Sequence, residues 1–451
     1  MQPRGVPMLG VLRHQTYRRL FAAQIIALLG TGLATVALAL LAYEIAGSRA
    51  GLVLGTALAI KMVANVLVAP VAHAVLGHLA RRTVLASLDA VRALAALLLP
   101  WVDQIWQVYL LVFVLQAASA AFTPVFQATI PDLLEDEDDY TNALALSRLA
   151  YDAERLISPA LAAAALALVS VNELFLGTAV GFTASALLVV SAALPAGARQ
   201  AGGLVSRTTV GVRGYVAVPR LRGLLALHFS VAAAGAMVLV NTVTAVRDDL
   251  AGSNSDVTAA LAVYGTGSLL VALSLPRLLR RSPERPLMLT GSALGVGALV
   301  AVAASLPGQG AWRWPALLVA WGLLGAAGAL VLTPAGRLLR RSADGSRRSA
   351  LFAADYALSH GCWLVTYPLA GWLTTTWGNV WTAAVLAALA AAATTVAARL
   401  WPTGDLAARE HDHDLPPDHD HIQDAQLVAA TGAWRHSHPY RLDDNHHTWP
   451  R

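Results

Sequence analysis

PLMLTGSALGVGALVAVAASL, residues 286–306, runs for twenty-one residues without a charged side chain. A helix of that length is about 30 Å long, which matches the hydrocarbon core of a bilayer. Arg280, Arg281 and Arg285 stand before the run, and Arg313 follows the next loop. A closed barrel is the other way to cross a membrane, but it needs strands of about ten residues that alternate polar and apolar. This continuous Ala, Leu, Val and Gly run does not alternate.

Similar runs recur along the whole chain. They read as spans at 21–45, 50–76, 84–102, 106–130, 142–168, 172–194, 223–246, 257–276, 286–306, 314–335, 350–374 and 379–400, divided by loops rich in Arg, Gly and Pro. Of the 451 residues 57% are hydrophobic and 13% charged, with a mean hydropathy of +0.57. A water-soluble domain carries roughly 25% charged residues, so the expected class is an all-α membrane protein of twelve transmembrane helices. The first run, Phe21 to Ile45, exceeds the roughly 7–15 residues of a cleavable signal core and reads as a retained helix. The single cysteine, Cys362, leaves no intrachain disulfide.

Arginine fixes the expected orientation. With the N-terminus in the cytoplasm, the N-terminal segment and the even-numbered loops hold 20 arginines, whereas the odd-numbered loops hold Arg49, Arg247 and Arg313. That asymmetry is the positive-inside pattern, and an even number of spans then places both termini in the cytoplasm. The halves also resemble each other. Thr123-Pro124 is answered by Thr333-Pro334, and Pro159 by Pro368, at spacings of 210 and 209. Two parallel six-helix bundles are implied, at 1–194 and 223–400, with a cytoplasmic linker at 195–222 and a tail at 401–451.

The loop after the second span carries Gly77, Leu79, Ala80, Arg81 and Arg82. These residues resemble the Gly-x-Leu-Ala-Asp-Arg-x-Gly-Arg-Arg signature of the major facilitator superfamily, without its acidic residue and second glycine. Gly77, Arg81 and Arg82 are therefore the candidate gating residues, and the loop lacks the acid of its usual ion pair. The likeness covers residues 1–400 and implies the major facilitator fold. The stretch PVFQATIPDLLEDEDDYTNALALSRLAYDAERLISPALA, 124–162, is similar to the efflux branch that includes macrolide and enterobactin exporters. LFAADYALSHGCWLVTYPLAGWL at 351–373, HDHDLPPDHDH at 411–421 and HSHPYRLDDNHHTWP at 436–450 resemble nickel-resistance exporters with histidine-rich C-termini. That resemblance implies proton-driven export of a divalent metal, nickel or cobalt foremost, from the cell (inner) membrane.

Beyond Glu410 the composition turns to His, Asp, Pro and Arg, which cannot pack a core, so the tail is expected to be disordered. Eight of the 13 histidines lie there: His411, His413, His419, His421, His436, His438, His446 and His447. Interleaved with Asp412, Asp414, Asp418 and Asp420, they offer imidazole and carboxylate donors suited to Ni, Co or Zn, and they supply no thiolate for Cu(I). A solvated tail whose histidines bind nothing specific is the other reading.

Ionisable residues inside spans mark candidate transport sites. Lys61, the only lysine beside 31 arginines, lies near the middle of the second span with Asn65 one turn on. It reads either as a proton carrier or as the structural partner of a carboxylate. Arg148, Asp152 and Arg155 share one face of the fifth span, with Tyr151 and Glu154 beside them, as a neutralising ion pair or a coupling element. Asp89 and Arg92 read as structural. The eleventh span offers Asp355, His360 and Cys362, while His228 and His73 complete the set of possible ligands. Lys61, Arg148 and Arg155 balance Asp152, Glu154 and Asp355 in charge, which suits an anionic or zwitterionic organic substrate as well as a metal that exchanges with protons.

No phosphate-binding Gly-x-x-x-x-Gly-Lys-Ser/Thr loop occurs, so transport is expected to be secondary, with protons as the coupling ion and no bound cofactor. No enzymatic activity is expected. The expected partners are the lipid bilayer and the carried metal ion or small organic molecule, with no nucleic acid, and the chain is expected to act as a monomer.

Overall fold

The fold is that of a computed structural model describing residues 8–46, 50–76, 79–166, 168–194, 204–404, 408–413, 426–428 and 433–439. Its N-terminal half comprises α1 (Gln15–Ala46), α2 (Ala50–Leu76), α3 (Arg81–Leu98), α4 (Ile105–Leu133), α5 (Glu137–Leu166) and α6 (Val171–Val190). A linker helix, α7 (Leu204–Ala217), leads to α8 (Pro219–Thr244), α9 (Asn254–Arg281), α10 (Glu284–Ser305), α11 (Arg313–Leu332), the short α12 (Ala335–Ser342) and α13 (Gly345–Leu400). Eight helical stretches among the described residues are long and apolar enough to cross a membrane. The last of them, Arg347–Leu400, holds two crossings, because Gly378 has a φ of 77° that reverses the helix between its arms. Only glycine takes that conformation without a steric cost. The four-residue gap expected between the last two spans is therefore a single-residue break. Counting both arms of α13 and setting aside the linker helix α7 and the short α12, the described residues form twelve rods in two helix bundles.

Hydrophobic length sets the rods, and local chemistry sets some of their ends. Ser170 and Glu173 form a reciprocal capping box at the start of α6, and Ser253 and Asp256 form another at the start of α9. Pro219 opens α8 at a first-turn position, where its missing N–H costs nothing. Inside each half the helices meet through alanine, glycine and aromatic side chains. Leu67, Val180 and Leu270 stay more than half exposed on the outer faces, as a lipid-facing surface requires.

Within the first half α1 packs on α2, α5 and α6, and α3 on α4 and α6; within the second, α8 packs on α13, and α11 on α9 and α10. The halves touch along two seams, α5 with α9, and α2 and α4 with α13. One end of the bundle carries the arginines. The other carries Trp101, Trp106, Trp312, Trp372, Trp377 and Trp381, each more than half exposed, where amphipathic indoles favour the membrane–water boundary.

The structure treats Asp89 and Arg92 as structural. Arg92 pairs with Asp89, Ser185 Oγ donates to Asp89 at 2.7 Å, and the guanidinium lies 4.2 and 4.7 Å from the rings of Phe122 and Phe182. All of these contacts stay inside the first half. In the tail, β1 (Ala408–His413), β2 (Gln426–Val428) and β3 (Ala433–Pro439) pair antiparallel in the order β1-β3-β2, an addition to the all-helical expectation.

Candidate functional site

At the arginine-rich end a charged seal joins the two halves. Arg81, the first residue of α3, reaches Asp132 in the last turn of α4 at 2.5 Å, and the other oxygen of Asp132 accepts from Arg348 of α13 at 2.5 Å. Arg81 also donates to the Ala128 carbonyl at 3.0 Å and to Ser349 Oγ at 3.4 Å. Glu284, at the start of α10, binds Arg337 and Arg341 of α12, each at 2.8 Å. Both arginines continue to Glu137 of α5, Arg337 at 2.5 Å, and Arg337 further donates to Thr141 Oγ1 at 2.5 Å. A cavity of about 430 Å³ lies among these groups. The acid absent from the loop after the second span is thus supplied by Asp132, from another helix.

Deeper in, each seam carries a polar crossing. On the α5–α9 seam Arg148 donates to Asp152 at 3.1 Å, and Ser268 of α9 bridges the pair, accepting from Arg148 at 3.0 Å and donating to Asp152. On the α2–α13 seam Tyr356 donates to Asn65 Oδ1 at 3.2 Å. The Tyr356 ring lies 4.1 Å from that of His360, whose Nδ1 sits 2.7 Å from the Tyr356 carbonyl. Lys61 is within electrostatic reach of His360.

The third arrangement joins α8, α13 and the linker helix. His228 Nε2 lies 3.0 Å from Asp355 Oδ1, and the same oxygen accepts from the Tyr215 hydroxyl at 2.8 Å. Burial, reinforced by the Asp355 carboxylate, holds the Tyr215 phenol well above its ordinary range, so it stays a donor. His228 is buried, and its Nδ1 has no hydrogen-bond partner. Cys362 is buried nearby and donates back to the Leu358 carbonyl at 3.4 Å. A carboxylate and an imidazole held together, with one ring nitrogen left over, can take up a proton or offer two donors to a cation.

Residues 224–436 match the sequence profile of the Major Facilitator Superfamily. The human organic anion transporter MFSD10 (TETRAN) superposes with a TM-score of 0.73 at 13% identity, over 85% of this chain and 99% of that one. A bacterial homologue of the iron transporter ferroportin, in its outward-facing state, gives 0.70 at 14%, over 85% and 99%. The E. coli fucose:proton symporter FucP (N162A) gives 0.64 at 14%, over 86% and 98%. The chain therefore has the major facilitator fold, and its second half carries that family's sequence profile. With that fold and its long apolar helices it is a multi-pass membrane protein. No curated protein matches the chain in sequence.

Within this fold, the expected site residues divide into three groups. His228 meets Asp355 directly, whereas Asn65 and His360 gather around Tyr356, the next residue of α13, with Lys61 in electrostatic reach of His360. Arg148 and Asp152 stand apart on the other seam. Arg82 is exposed, and Gly77 lies outside the described residues, as do the side chains of His73 and Arg155. Among the described residues no group of three His, Cys, Asp or Glu side chains converges to hold a metal ion. In the tail His419, His421, His446 and His447 lie outside the described residues, while the β1–β3 register sets His411 opposite His436, and places His438 opposite Arg409 and His413 opposite Trp434.

Sequence reasoning missed Tyr215, Ser268 and most of the seal. The signal for the seal was present. Asp132 ends the fourth span and is followed by Glu135, Asp136, Glu137, Asp138 and Asp139, an acidic run facing loops that are otherwise arginine-rich. Tyr215 and Ser268 carry no comparable pattern, since one tyrosine in a linker and one serine in an apolar helix fit many roles.

Proposed function

We propose that this protein is a transporter, a secondary-active, proton-coupled exporter of divalent metal ions of the nickel and cobalt class, working by alternating access. The observation that carries the reading is the buried Asp355–His228 pair with its unpartnered Nδ1. Metal ligands must be deprotonated, so a cation and a proton compete for such a pair, and that competition is the elementary step of antiport. The arginine-rich end is taken as cytoplasmic, with both termini on that side of the cell (inner) membrane. The seal then closes the cytoplasmic face, and the pair waits for reopening toward the tail. The tail's histidines, with His411 and His436 in cross-strand register, would gather the ion on the side from which it leaves.

A second reading, a proton-coupled exporter of drugs, macrolides or siderophores with a regulatory tail, draws support from the seams. Lys61 and the Arg148–Asp152–Ser268 group place both signs of charge where the halves meet, as an anionic or zwitterionic organic molecule would require. The structural neighbours include an organic anion transporter and an iron transporter homologue, and at 13–14% identity they do not choose between the two.

Flux of Ni²⁺, Co²⁺, Zn²⁺ and a macrolide into proteoliposomes under an imposed pH gradient decides. Gradient-dependent Ni²⁺ or Co²⁺ flux is expected, abolished by Asp355→Asn and only weakened by deletion of 410–451. Movement of the macrolide alone would leave the second reading standing.

A further inference from the structure

The linker helix α7 belongs to neither bundle, yet it is packed like a core element. A Cβ on Gly211 would lie 2.2 Å from the Ala350 carbonyl oxygen, so only glycine lets α7 rest directly on α13. Val212, Tyr215 and Val218 join the same hydrophobic cluster as Leu351, Phe352 and Ala354, and Tyr215 is fully buried. From that position the phenol meets the one carboxylate oxygen that also meets His228.

The shared oxygen selects the imidazole's tautomer. An ionised carboxylate only accepts, so Nε2 of His228 is the nitrogen that donates to it, and in the neutral ring the lone pair is then on Nδ1, the buried nitrogen with no partner. The Tyr215 donor pins Asp355 Oδ1 from the opposite element and stops the carboxylate from turning away.

We propose that Tyr215 is a positioning residue of the transport site, fixing Asp355 so that His228 Nδ1 is the atom presented to an incoming proton or divalent cation, and thereby making the linker helix part of the coupling machinery. This rests on the reading of Asp355 and His228 as the exchange pair. The other titratable groups facing them are His360 and Cys362 on α13 and Lys61 on α2. None of these comes from the linker. Among the described residues, Tyr215 is the group that ties the pair to the linker helix.

The test uses the full-length chain in proteoliposomes with Ni²⁺ as the probe, comparing wild type with Tyr215→Phe across pH. Removing one donor from a carboxylate weakens its ionised form, so protons compete with the cation at higher pH. A hydrogen bond to a charged group is strong enough to move such a midpoint by about one unit. The pH of half-maximal flux should therefore rise by about one unit and the KM for Ni²⁺ by about tenfold, with maximal flux less affected. Gly211→Ala, which pushes α7 off α13 while keeping the phenol, should move both quantities in the same direction.

An unchanged midpoint in a folded Tyr215→Phe protein overturns the proposal. Failure of both variants to fold, where Asp355→Asn folds, would also overturn it by making the contact purely structural. If the wild type carries no Ni²⁺, the metal reading fails separately. The inference is then read from the pH dependence of thermal unfolding in detergent, where the inflection should differ by the same unit between wild type and Tyr215→Phe. Coincident curves overturn it.

Discussion

At the start of α3, Arg81 holds Asp132; at the start of α10, the corresponding place in the second half, Glu284 holds Arg337 and Arg341. In both halves the anchor is the first residue of a third or ninth span, and the held group sits at the end of a fourth or tenth. The charges are exchanged. The first half therefore presents a carboxylate, Asp132, to Arg348, and the second presents arginines to Glu137. Had the repeat kept its charges, like would face like across the seal, at a cost of about 4 kcal/mol per close pair near a protein surface. Duplicated halves become complementary partners by reversing one set of charges. The two sets differ in depth as well, since the Glu284 side chain is 3% exposed, Asp132 25% and Glu137 48%.

Depth ranks the ways to break this arrangement. Glu284→Leu leaves Arg337, itself 9% exposed, with a half-exposed carboxylate as its remaining charged partner. Removing the buried partner of a buried ion pair costs up to about 3–5 kcal/mol, so the largest loss of stability is expected here, read as unfolding free energy or melting temperature in detergent. Asp132→Leu, the matching change in the first half, is expected to cost less, because Arg81 and Arg348 keep other hydrogen bonds, to the Ala128 carbonyl and to Asp344. Equal losses would mean that the halves are equivalent in energy and that the reversal of charge has no partner in depth.

The sequence made the rods legible because length and apolarity are sufficient signals for a membrane helix. It placed twelve of them, and the Thr-Pro repeats pointed to two halves. It did not reveal that the loop arginines have two jobs. Counted as topology signals, Arg337, Arg341 and Arg348 looked interchangeable with Arg280 or Arg281, and only the folded chain brings them against Glu284, Glu137 and Asp132. The Asp355–His228 pair lay within the candidate set, but nothing in a sequence joins residues 127 positions apart. Tyr215 was invisible for a further reason. A linker reads as a tether, and its packing on α13 depends on Gly211 approaching a backbone that is 139 residues away.

The Asp132 arm also tests whether the seal holds the halves together or only decorates them. Asp132→Asn keeps the shape and removes the charge shared by Arg81 and Arg348, and Arg348→Gln removes the charge from the other side. A double-mutant cycle between them should give a coupling of about 1 kcal/mol, the scale for contacting residues in one network. Each single variant should also raise labelling of Cys362, the only cysteine, by a membrane-permeant thiol reagent, because opening at the arginine-rich end loosens α13. No coupling would confine the contact to local structure, and the exchanged charges would then play no part in gating.

The weakest arm is Glu137. Its side chain is nearly half exposed, so its pairs with Arg337 and Arg341 sit in high dielectric and are worth no more than about 1 kcal/mol. Glu137→Gln should therefore lower the melting temperature least of the three. Salt separates this arm from the others. At 1 M ionic strength the Debye length is about 3 Å, which screens exposed charges but leaves a buried pair nearly untouched. Raising salt should reproduce the effect of Glu137→Gln on the wild type and add little to the variant, while the deficit of Glu284→Leu persists at every salt concentration. A salt-sensitive Glu284 deficit would show that water reaches that carboxylate, and that the deep and shallow arms of the seal are one network.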